Sequence, residues 1–228
     1  MNKTAAQRSS GHGRFITFEG GEGAGKSTQI RTLADRLNAA KLLTIVTREP
    51  GGSPGAEIMR YLILSGIGKL LGPDTETLLF AAARDDHVRT VIQPALNKGV
   101  WVLCDRFSDS TRAYQGSLSS VPAGVINAMQ RVTIGNLKPD LTIILDVPVE
   151  VGMQRAAERR GNNTPDRFEA EDVQFHRDLR EAYRKIAADE PDRCVLIDAN
   201  AEADVVAARV WTAVRDRILA PSTSPMAT

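Results

Sequence analysis

The chain has 228 residues, of which 42% are hydrophobic and 25% are charged, a composition typical of a soluble globular protein. Its formal net charge of +1 argues against a non-specific nucleic-acid-binding protein, which usually carries a basic excess. No stretch approaches the roughly 18 apolar residues that a membrane span needs, and the N-terminus lacks the apolar core of a signal peptide. We therefore expect a cytoplasmic protein with no nucleic-acid or membrane partner.

The two ends of the chain differ in composition from the rest. Residues 1–13 and 220–228 are small and polar, which predicts flexible tails. Between them there is no internal repeat and no linker-like stretch, so one domain over 14–219 is the simplest interpretation. Cys104 and Cys194 each lie in or at the end of an apolar run, which favours buried structural thiols over a disulfide framework or a zinc site.

Five short apolar runs predict β-strands, at 14–18, 43–47, 100–104, 141–145 and 194–197. The last four are nearly continuous apolar runs, as expected of strands covered by helices on both faces. Helical patterns lie between the runs and include 26–40, 75–96, 149–160, 170–189 and 203–219. This alternation predicts an α/β fold with a parallel sheet and right-handed crossovers. In such sheets ligands bind outside the carboxyl ends of the strands.

The first predicted strand is followed by GGEGAGKS, which fits the P-loop pattern G-x-x-x-x-G-K-[ST] between a strand and a helix. Its glycines allow the backbone to wrap around phosphates, and the helix presents its positive dipole end to them. Lys26 is expected to bridge the β- and γ-phosphates of ATP, and Ser27 Oγ to bind Mg²⁺. A glycine-rich turn with an incidental Lys-Ser pair is the alternative, and the flanking elements favour the P-loop. The expected phosphate-binding residues are Gly20, Gly21, Glu22, Gly23, Ala24, Gly25, Lys26, Ser27 and Thr28.

Two aspartates end predicted strands. Asp105 follows the third run, where an acid that supports the metal is expected beside a P-loop. Asp146 follows the fourth run in a similar way, but here a helix cap or a turn residue is the favoured interpretation. The predicted metal ligands are therefore Ser27 and Asp105.

Further clusters of polar and charged residues lie at or near the predicted carboxyl edge. They are the REPGG loop after the second run, the pair Phe80 and Arg84 on one helix face, the stretch 105–116, and the arginines at 155, 159, 160 and 167. Each has a structural alternative, since Phe80 could belong to the core, Arg84 could pair with an acid, and the late arginines could form a solvated helix face. Arg159 and Arg160 nevertheless end a helix before a polar loop, which suits the hinge of a mobile lid.

These segments, taken in order, resemble the bacterial thymidylate kinase family. The resemblance covers roughly residues 14–218 and is carried by the P-loop, TREPGG, FAAARDDH, DRFSDSTRAYQG and RRGNNTPDRFE. It implies a P-loop kinase with a three-layer fold, a five-stranded parallel sheet with helices on both faces, and a short lid at about 155–168. It also implies a homodimer that transfers the γ-phosphoryl group of ATP to dTMP with Mg²⁺ as cofactor.

The resemblance assigns roles on the base side of the acceptor. Phe80 is similar to the aromatic residue that stacks on thymine, a type of contact worth about 1–3 kcal/mol per base. Arg84 would donate to the O4 carbonyl, and Thr111 and Gln115 would lie at the polar edge near N3. Tyr114 would pack against the deoxyribose and disfavour a 2′-hydroxyl group.

The resemblance also assigns the phosphate side of the acceptor. Arg106 is similar to the residue that grips the dTMP phosphate, a role that suits a bidentate guanidinium, and Arg60 would add to this grip. Glu49 and Asp105 would lie near the acceptor sugar and the Mg²⁺ shell. The full set expected to bind dTMP is Glu49, Pro50, Arg60, Phe80, Arg84, Asp105, Arg106, Ser110, Thr111, Tyr114 and Gln115.

The family places a catalytic arginine either in the P-loop or in the lid. This P-loop has Glu22, Gly23 and Ala24 at its variable positions and no arginine, so it resembles the lid-arginine type. The expected catalytic residues are Lys26, Arg106, Arg159, Arg160 and Arg167. The polar insertion at 161–165 leaves open which lid arginine reaches the transferred group, whereas 166–169 matches the stretch that follows the lid in relatives.

Two other classes of function compete with this interpretation. Another P-loop nucleoside or nucleotide kinase is the nearer one, and Arg84 with Gln115, which suit a pyrimidine carbonyl edge, argue against it. A P-loop switch or regulatory protein is the other. The stretch 136–140 reads NLKPD and does not have the spacing of the N-K-x-D motif of GTPases, and the acceptor-side residues would have no purpose in a regulator.

Overall fold

The computed structural model describes residues 13–66, 70, 72–117, 121–165 and 167–220. The predicted tails at 1–13 and 220–228 therefore lie outside the described residues, apart from residues 13 and 220. The helices in the described ranges include none that is long and apolar enough to cross a membrane. Cys104 and Cys194 are both buried and unpaired thiols, as the sequence predicts.

The described strands form one parallel sheet in the order β2-β3-β1-β4-β5. Their bounds are β1 Phe15–Glu19, β2 Thr44–Arg48, β3 Trp101–Asp105, β4 Leu141–Asp146 and β5 Cys194–Asp198. Each lies within about a residue of the run that predicts it, so the α/β prediction with a five-stranded parallel sheet is confirmed. Because β1 occupies the centre, the P-loop that follows it opens in the middle of the carboxyl edge.

Helices cover both faces of the sheet. Their bounds are α1 Lys26–Ala39, α2 Pro54–Leu64, α3 Pro73–His87, α4 Gln93–Asn97, α5 Ser108–Thr111, α6 Ala123–Thr133, α7 Val149–Arg160, α8 Val173–Asp189 and α9 Ala203–Val214. π-helical turns at Val88–Ile92, Arg112–Ser117 and Arg215–Leu219 extend α3, α5 and α9. Ile16 and Phe18 of β1 pack against α1 and α9, and Phe15 contacts the α3–α4 side.

Helix α8 begins at Val173 rather than at 170 because Asp172 caps it, accepting a hydrogen bond from Phe175 N at 2.7 Å. The helices α2 and α6 lie outside the helical patterns that the sequence predicts. Both expose large apolar side chains, such as Tyr61 and Val132, which are 70% and 83% exposed.

The prediction that the last four strands are covered on both faces is wrong for β2 and β5. In the sheet order these two are the edge strands, and Val46 of β2 and Leu196 of β5 are 50% and 39% exposed. The central strands β3 and β4 are buried as predicted, except for the aspartate that ends each one. An apolar run of five residues does not distinguish an edge strand from a central one, since that difference depends on the neighbours of the strand.

A buried carboxylate joins three elements at the carboxyl end of β1. Glu19, at 0% exposure, accepts hydrogen bonds from Phe107 N at 2.8 Å, Ser110 Oγ at 2.7 Å and Tyr183 OH at 3.0 Å. Burial, reinforced by the nearby charge of Asp109, raises the pKa of Glu19 from 4.5 to about 7. The sheet centre, the start of α5 and the middle of α8 are thus tied to a carboxyl that titrates near neutral pH.

Glu19 gives the protein a predicted pH dependence of stability. A raised pKa means that the neutral carboxyl favours the folded state; this contribution is fully present below about pH 4.5 and is lost as the pH rises through about 7. The shift corresponds to about 3 kcal/mol at most. We expect the free energy of unfolding of the unaltered chain to fall between pH 5 and pH 8 relative to that of Glu19→Gln, which is always neutral.

Urea denaturation at pH 5, 6, 7 and 8 measures this difference. Glu158→Gln on the exposed side of α7 is the matched control and should track the unaltered chain at every pH. If the free energies of unfolding of the Glu19→Gln variant and of the unaltered chain differ by the same amount at all four pH values, the predicted titration of Glu19 is refuted.

Candidate functional site

A single large cleft lies at the carboxyl edge of the sheet and has a cavity volume of about 590 Å³. Its walls come from the P-loop, the REPGG loop, α3, the segment after β3 and the lid. The residues predicted from the sequence that line it are Glu22, Gly23, Ala24, Gly25, Lys26, Ser27, Thr28, Glu49, Pro50, Arg60, Phe80, Arg84, Asp105, Arg106, Ser110, Thr111, Tyr114, Gln115 and Arg159. Of the other predicted residues, Gly20 and Gly21 line a small neighbouring cavity, and Arg160 and Arg167 line neither cavity.

The P-loop has the backbone geometry that its glycines allow. Gly23 has φ +65°, and a Cβ atom there would lie 1.9 Å from the carbonyl oxygen of Gly152 on α7. Glycine is therefore required where the loop passes the lid helix. Gly25 has φ 89° and precedes α1, so the N-terminus of this helix points into the loop.

The Lys26 ammonium group bonds to the loop itself. It donates to Gly21 O at 2.8 Å and to Gly20 O at 3.0 Å, and its residue is only 8% exposed. Burial, reinforced by the nearby Arg106, lowers its pKa. Lys26 is thus a poorly solvated cation inside the loop, where an anionic ligand would gain most from it.

The predicted metal ligands lie together. Ser27 Oγ donates a hydrogen bond to Asp105 Oδ2 at 2.9 Å, joining the start of α1 to the end of β3. In the part of the chain that the structure describes, no group of three or more His, Cys, Asp or Glu side chains could hold a metal. Mg²⁺ commonly binds through one or two protein oxygens together with substrate phosphates and water. The oxygen atoms of the Ser27–Asp105 pair fit a magnesium ion bound in this way.

Asp146, the other strand-ending aspartate, forms an ion pair with α8. It accepts from Arg180 Nε at 2.6 Å and from an Arg180 terminal nitrogen at 2.8 Å. It does not line the main cleft. The geometry favours the structural interpretation of Asp146 that the sequence also favours.

Arg106 is held at the junction of the P-loop and the acceptor side. It has φ +68°, a conformation that is uncommon for a residue other than glycine. Its guanidinium donates to Glu22 Oε1 at 2.6 Å, Gly20 O at 3.2 Å and Tyr183 OH at 3.1 Å. The backbone and side chain of Arg106 are thus both fixed in place.

Glu22 lies in the P-loop sequence, and its side chain lines the cleft and bonds to Arg106. Burial alone would raise the pKa of Glu22, but the charges of Arg106, Lys26 and Arg159 outweigh burial and lower it to about 2. The carboxylate is therefore ionised at neutral pH, and a phosphate would be repelled by it. The Glu22 side chain belongs with the acceptor-side residues, while its main chain remains part of the loop.

Arg84 lies in a buried chamber at the other end of the cleft and is only 4% exposed. It donates from Nε to Glu49 Oε2 at 2.6 Å, from one terminal nitrogen to Thr111 Oγ1 at 2.9 Å, and from the other to Phe107 O at 3.1 Å. Phe80 lines the same chamber. Glu49, expected near the acceptor sugar, lines the cleft and accepts the hydrogen bond from Arg84.

The lid arginines are paired with carboxylates. Arg159 and Arg160 bond to Glu169 at 2.8 and 3.0 Å, and Arg167 pairs with Glu76 of α3. Arg159 is the one of the three that lines the cleft. Of the stretch matched to relatives after the lid, residue 166 lies outside the described residues.

Several residues of the site were not predicted from the sequence. Phe168 and Glu169 line the cleft, and Phe168 packs edge-on against Tyr114 with ring centroids 5.2 Å apart. Tyr183 is a buried residue of an otherwise ordinary amphipathic helix, and no sequence signal distinguishes it. His87 closes the FAAARDDH motif, so its place in the motif is the one available signal.

Comparisons with known proteins agree with this geometry. The family model described as thymidylate kinase matches residues 18–210. The chain is 77% identical over 219 residues to a thymidylate kinase of Bradyrhizobium diazoefficiens, with 96% of each chain covered. It is 73% identical to one of Nitrobacter winogradskyi, with 96% of this chain and 95% of that protein covered. The crystal structure of an Ehrlichia chaffeensis thymidylate kinase superposes with a TM-score of 0.72 at 30% identity, covering 90% of this chain and 100% of that one. The chain belongs to the thymidylate kinase family.

Proposed function

We propose that this chain transfers the γ-phosphoryl group of ATP to dTMP, giving dTDP and ADP for dTTP synthesis. The observation that carries the proposal is that one cleft contains a P-loop at one end and a buried arginine beside an aromatic ring at the other. Relatives with up to 77% identity that are named thymidylate kinase support it. We also propose a cytoplasmic location, which is compatible with the composition of the chain.

The P-loop residues 20–28 bind the ATP phosphates in this proposal. Main-chain N–H groups and the N-terminus of α1 face the phosphates. Lys26 exchanges its bonds to Gly20 O and Gly21 O for the β- and γ-phosphate oxygens. Ser27 and Asp105 hold Mg²⁺, which when bound neutralises phosphate charge.

The acceptor dTMP occupies the rest of the cleft. Its base stacks on Phe80, its O4 carbonyl accepts from Arg84, and Thr111 and Gln115 lie at its N3 edge. Tyr114 packs against the deoxyribose. Arg106 and Arg60 grip its phosphate, and the remaining wall is formed by Glu49, Pro50, Asp105 and Ser110.

Transfer depends on positioning and on positive charge, because the acceptor phosphate is already a nucleophile at neutral pH. Lys26, Arg106 and the lid arginines supply the charge. Of the three expected catalytic lid arginines, we propose that Arg159 contacts the transferred phosphoryl group, since it is the one of the three that lines the cleft. Its own side chain is 62% exposed. Closure of the lid also excludes water and so suppresses ATP hydrolysis.

The first test replaces Lys26 by Ala. We expect kcat for dTMP phosphorylation to fall by roughly 10²–10³-fold or more, because a preorganised cation at the developing charge is lost. A coupled assay for ADP formation measures the effect. Lys138→Ala, at an exposed position before β4, is the control and should keep full activity. Full activity in the Lys26→Ala variant would contradict the proposed mechanism.

A panel of nucleoside monophosphates tests the acceptor. With ATP as donor, we expect kcat/KM to be highest for dTMP, since Arg84 offers N–H donors to a carbonyl edge. The panel consists of dTMP, dCMP, CMP, AMP and GMP, and the coupled assay for ADP formation measures the rate with each of them. A clear preference for AMP, GMP or CMP would favour the competing class of P-loop kinases and overturn the assignment.

We also propose that the chain forms a homodimer through α2, α3 and α6, which pack side by side. Large apolar side chains remain exposed on these helices: Ile58 at 64%, Tyr61 at 70%, Leu78 at 52%, Val125 at 38% and Val132 at 83%. Exposed apolar patches of this kind mark interaction surfaces. A second copy of the chain is the occupant that the family resemblance implies.

Tyr61→Glu tests the dimer. A charge in the centre of an apolar interface is costly to bury, so we expect the variant to shift from dimer to monomer in size-exclusion chromatography with light scattering. Val205→Glu, on the distant helix α9 where Val205 is 45% exposed, should remain dimeric. A dimeric Tyr61→Glu variant, or an unaltered chain that is monomeric at assay concentrations, would contradict this interface.

A further inference from the structure

A chain of buried polar contacts lies behind Arg84. Arg84 Nε donates to Glu49 Oε2 at 2.6 Å, and Glu49 Oε1 lies 3.1 Å from His87 Nδ1. His87 Nε2 in turn lies 2.6 Å from Thr47 Oγ1. Glu49 and Arg84 are 6% and 4% exposed, and His87 is completely buried. The contacts run unbroken from the end of β2 to the chamber of the cleft.

This chain fixes the orientation of Arg84. A guanidinium carries five N–H donors in one plane, and three of them bond to Glu49, Thr111 and Phe107 within the described part of the chain. Three acceptors on different segments determine the plane and leave donors for a ligand. Carboxylate pairs of this kind are among the stronger and more directional hydrogen bonds in proteins.

The sequence of the TREPGG loop follows from the same contacts. Thr47 and Glu49 are the first and third residues of that segment, and both contact His87. Gly52, its last residue, has φ +86°, and a Cβ atom there would lie 2.4 Å from Thr47 Oγ1 and 2.5 Å from His87 Nε2. A side chain at position 52 would thus break the Thr47–His87 contact, so the loop is shaped around it.

Glu49 is a poor candidate for a direct ligand of the acceptor. Each of its carboxylate oxygens already has a partner, Arg84 on one and His87 on the other, and its side chain is only 4% exposed. These two bonds direct the carboxylate towards Arg84 and His87. Glu49 therefore acts through Arg84.

We propose that Thr47, His87 and Glu49 form a positioning relay for Arg84, and that the preference for a 4-oxo pyrimidine over a 4-amino pyrimidine depends on it. The proposal rests on the proposed function of the chamber as the acceptor site. A fixed N–H donor satisfies a carbonyl oxygen at position 4, whereas an amino group there also donates and leaves the ligand-facing N–H of Arg84 without an acceptor. An arginine free to turn away would discriminate less.

The experiment measures selectivity in four variants. Thr47→Val removes the hydroxyl group while keeping the shape, Glu49→Gln removes the charge, and His87→Leu removes both ring nitrogens. His87→Asn keeps a donor near the Nδ1 position and is the conservative rescue. For each variant, kcat/KM for dTMP, the inhibition constant of dCMP against dTMP, and KM for ATP are determined.

We expect Glu49→Gln and His87→Leu to lower the preference for dTMP over dCMP by roughly 10-fold or more, mainly through a higher KM for dTMP, with KM for ATP unchanged. Thr47→Val should have a smaller effect in the same direction, and His87→Asn should recover part of the loss. Thr44→Val on the same strand, where Thr44 Oγ1 bonds to Leu42 O, is the matched control and should keep the selectivity of the unaltered chain.

The outcomes separate the relay from the proposed function. If the unaltered chain does not prefer dTMP, the proposed acceptor fails. If it does prefer dTMP, the relay alone is wrong when two conditions hold. Glu49→Gln and Thr47→Val must keep the preference of the unaltered chain for dTMP over dCMP, and circular dichroism must show that both variants are folded. A loss of kcat together with a weaker KM for ATP, at constant selectivity, would also overturn the relay and indicate a general structural role. Should His87→Leu fail to fold, the other two variants still decide the question.

Discussion

Two arginines of the cleft are held by carboxylates, and the geometry of the site depends on these pairs. Arg106 is 16% exposed and bonds to Glu22, and Arg84 is 4% exposed and bonds to Glu49. A guanidinium removed from water is strongly destabilising unless it is paired and hydrogen-bonded. The carboxylates make it possible for both cations to sit inside the cleft before any ligand arrives. A buried arginine–carboxylate pair thus fixes the cation at each of these two places in the cleft, at Arg84 and at Arg106.

The two pairs differ in what a ligand must do to reach the arginine. Arg84 keeps its bonds to Glu49, Thr111 and Phe107 and offers further N–H groups, so a neutral base can add to the existing network. Arg106 faces Glu22, whose pKa is lowered to about 2, so a phosphate competes with a full negative charge at this position. The surroundings of Arg84 therefore suit a neutral base, whereas those of Arg106 set a carboxylate in competition with a phosphate. This is consistent with a nucleotide that places its base on Arg84 and its phosphate on Arg106.

The sequence predicts the strands and most of the cleft because both depend on short segments. Apolar runs mark the strands to within about a residue, and the rule that ligands bind at the carboxyl edge brings the P-loop, Phe80, Arg84 and Arg106 to one place. Contacts between distant segments are not predicted in this way. The bond between Glu19 and Tyr183 spans 164 positions of the chain, and nothing local marks either residue as its partner. The positions of β2 and β5 at the sheet edges depend on neighbours in the same way.

The sequence also does not predict which way the side chains inside the recognised motifs point. Glu22 is part of the P-loop pattern, and its carboxylate bonds to Arg106. Glu49 is part of the REPGG loop, and its carboxylate contacts Arg84 and His87. Both residues also line the cleft. Neither contact can be predicted from the motif, because the partner lies in a distant segment of the chain.

The cations of the cleft share one property that links their packing to phosphoryl transfer. Lys26 bonds to the carbonyl oxygens of Gly20 and Gly21, Arg106 to Glu22, and Arg159 to Glu169. Each already has a partner, and Lys26 and Arg106 are mostly buried, so an anion that binds these two cations exchanges one acceptor for another with little further desolvation. The exchange is easiest where the existing partner is weak, as are the neutral carbonyl groups that bond to Lys26. Arg159 and Arg160 share the carboxylate of Glu169, so an anion that binds either arginine competes with that one partner.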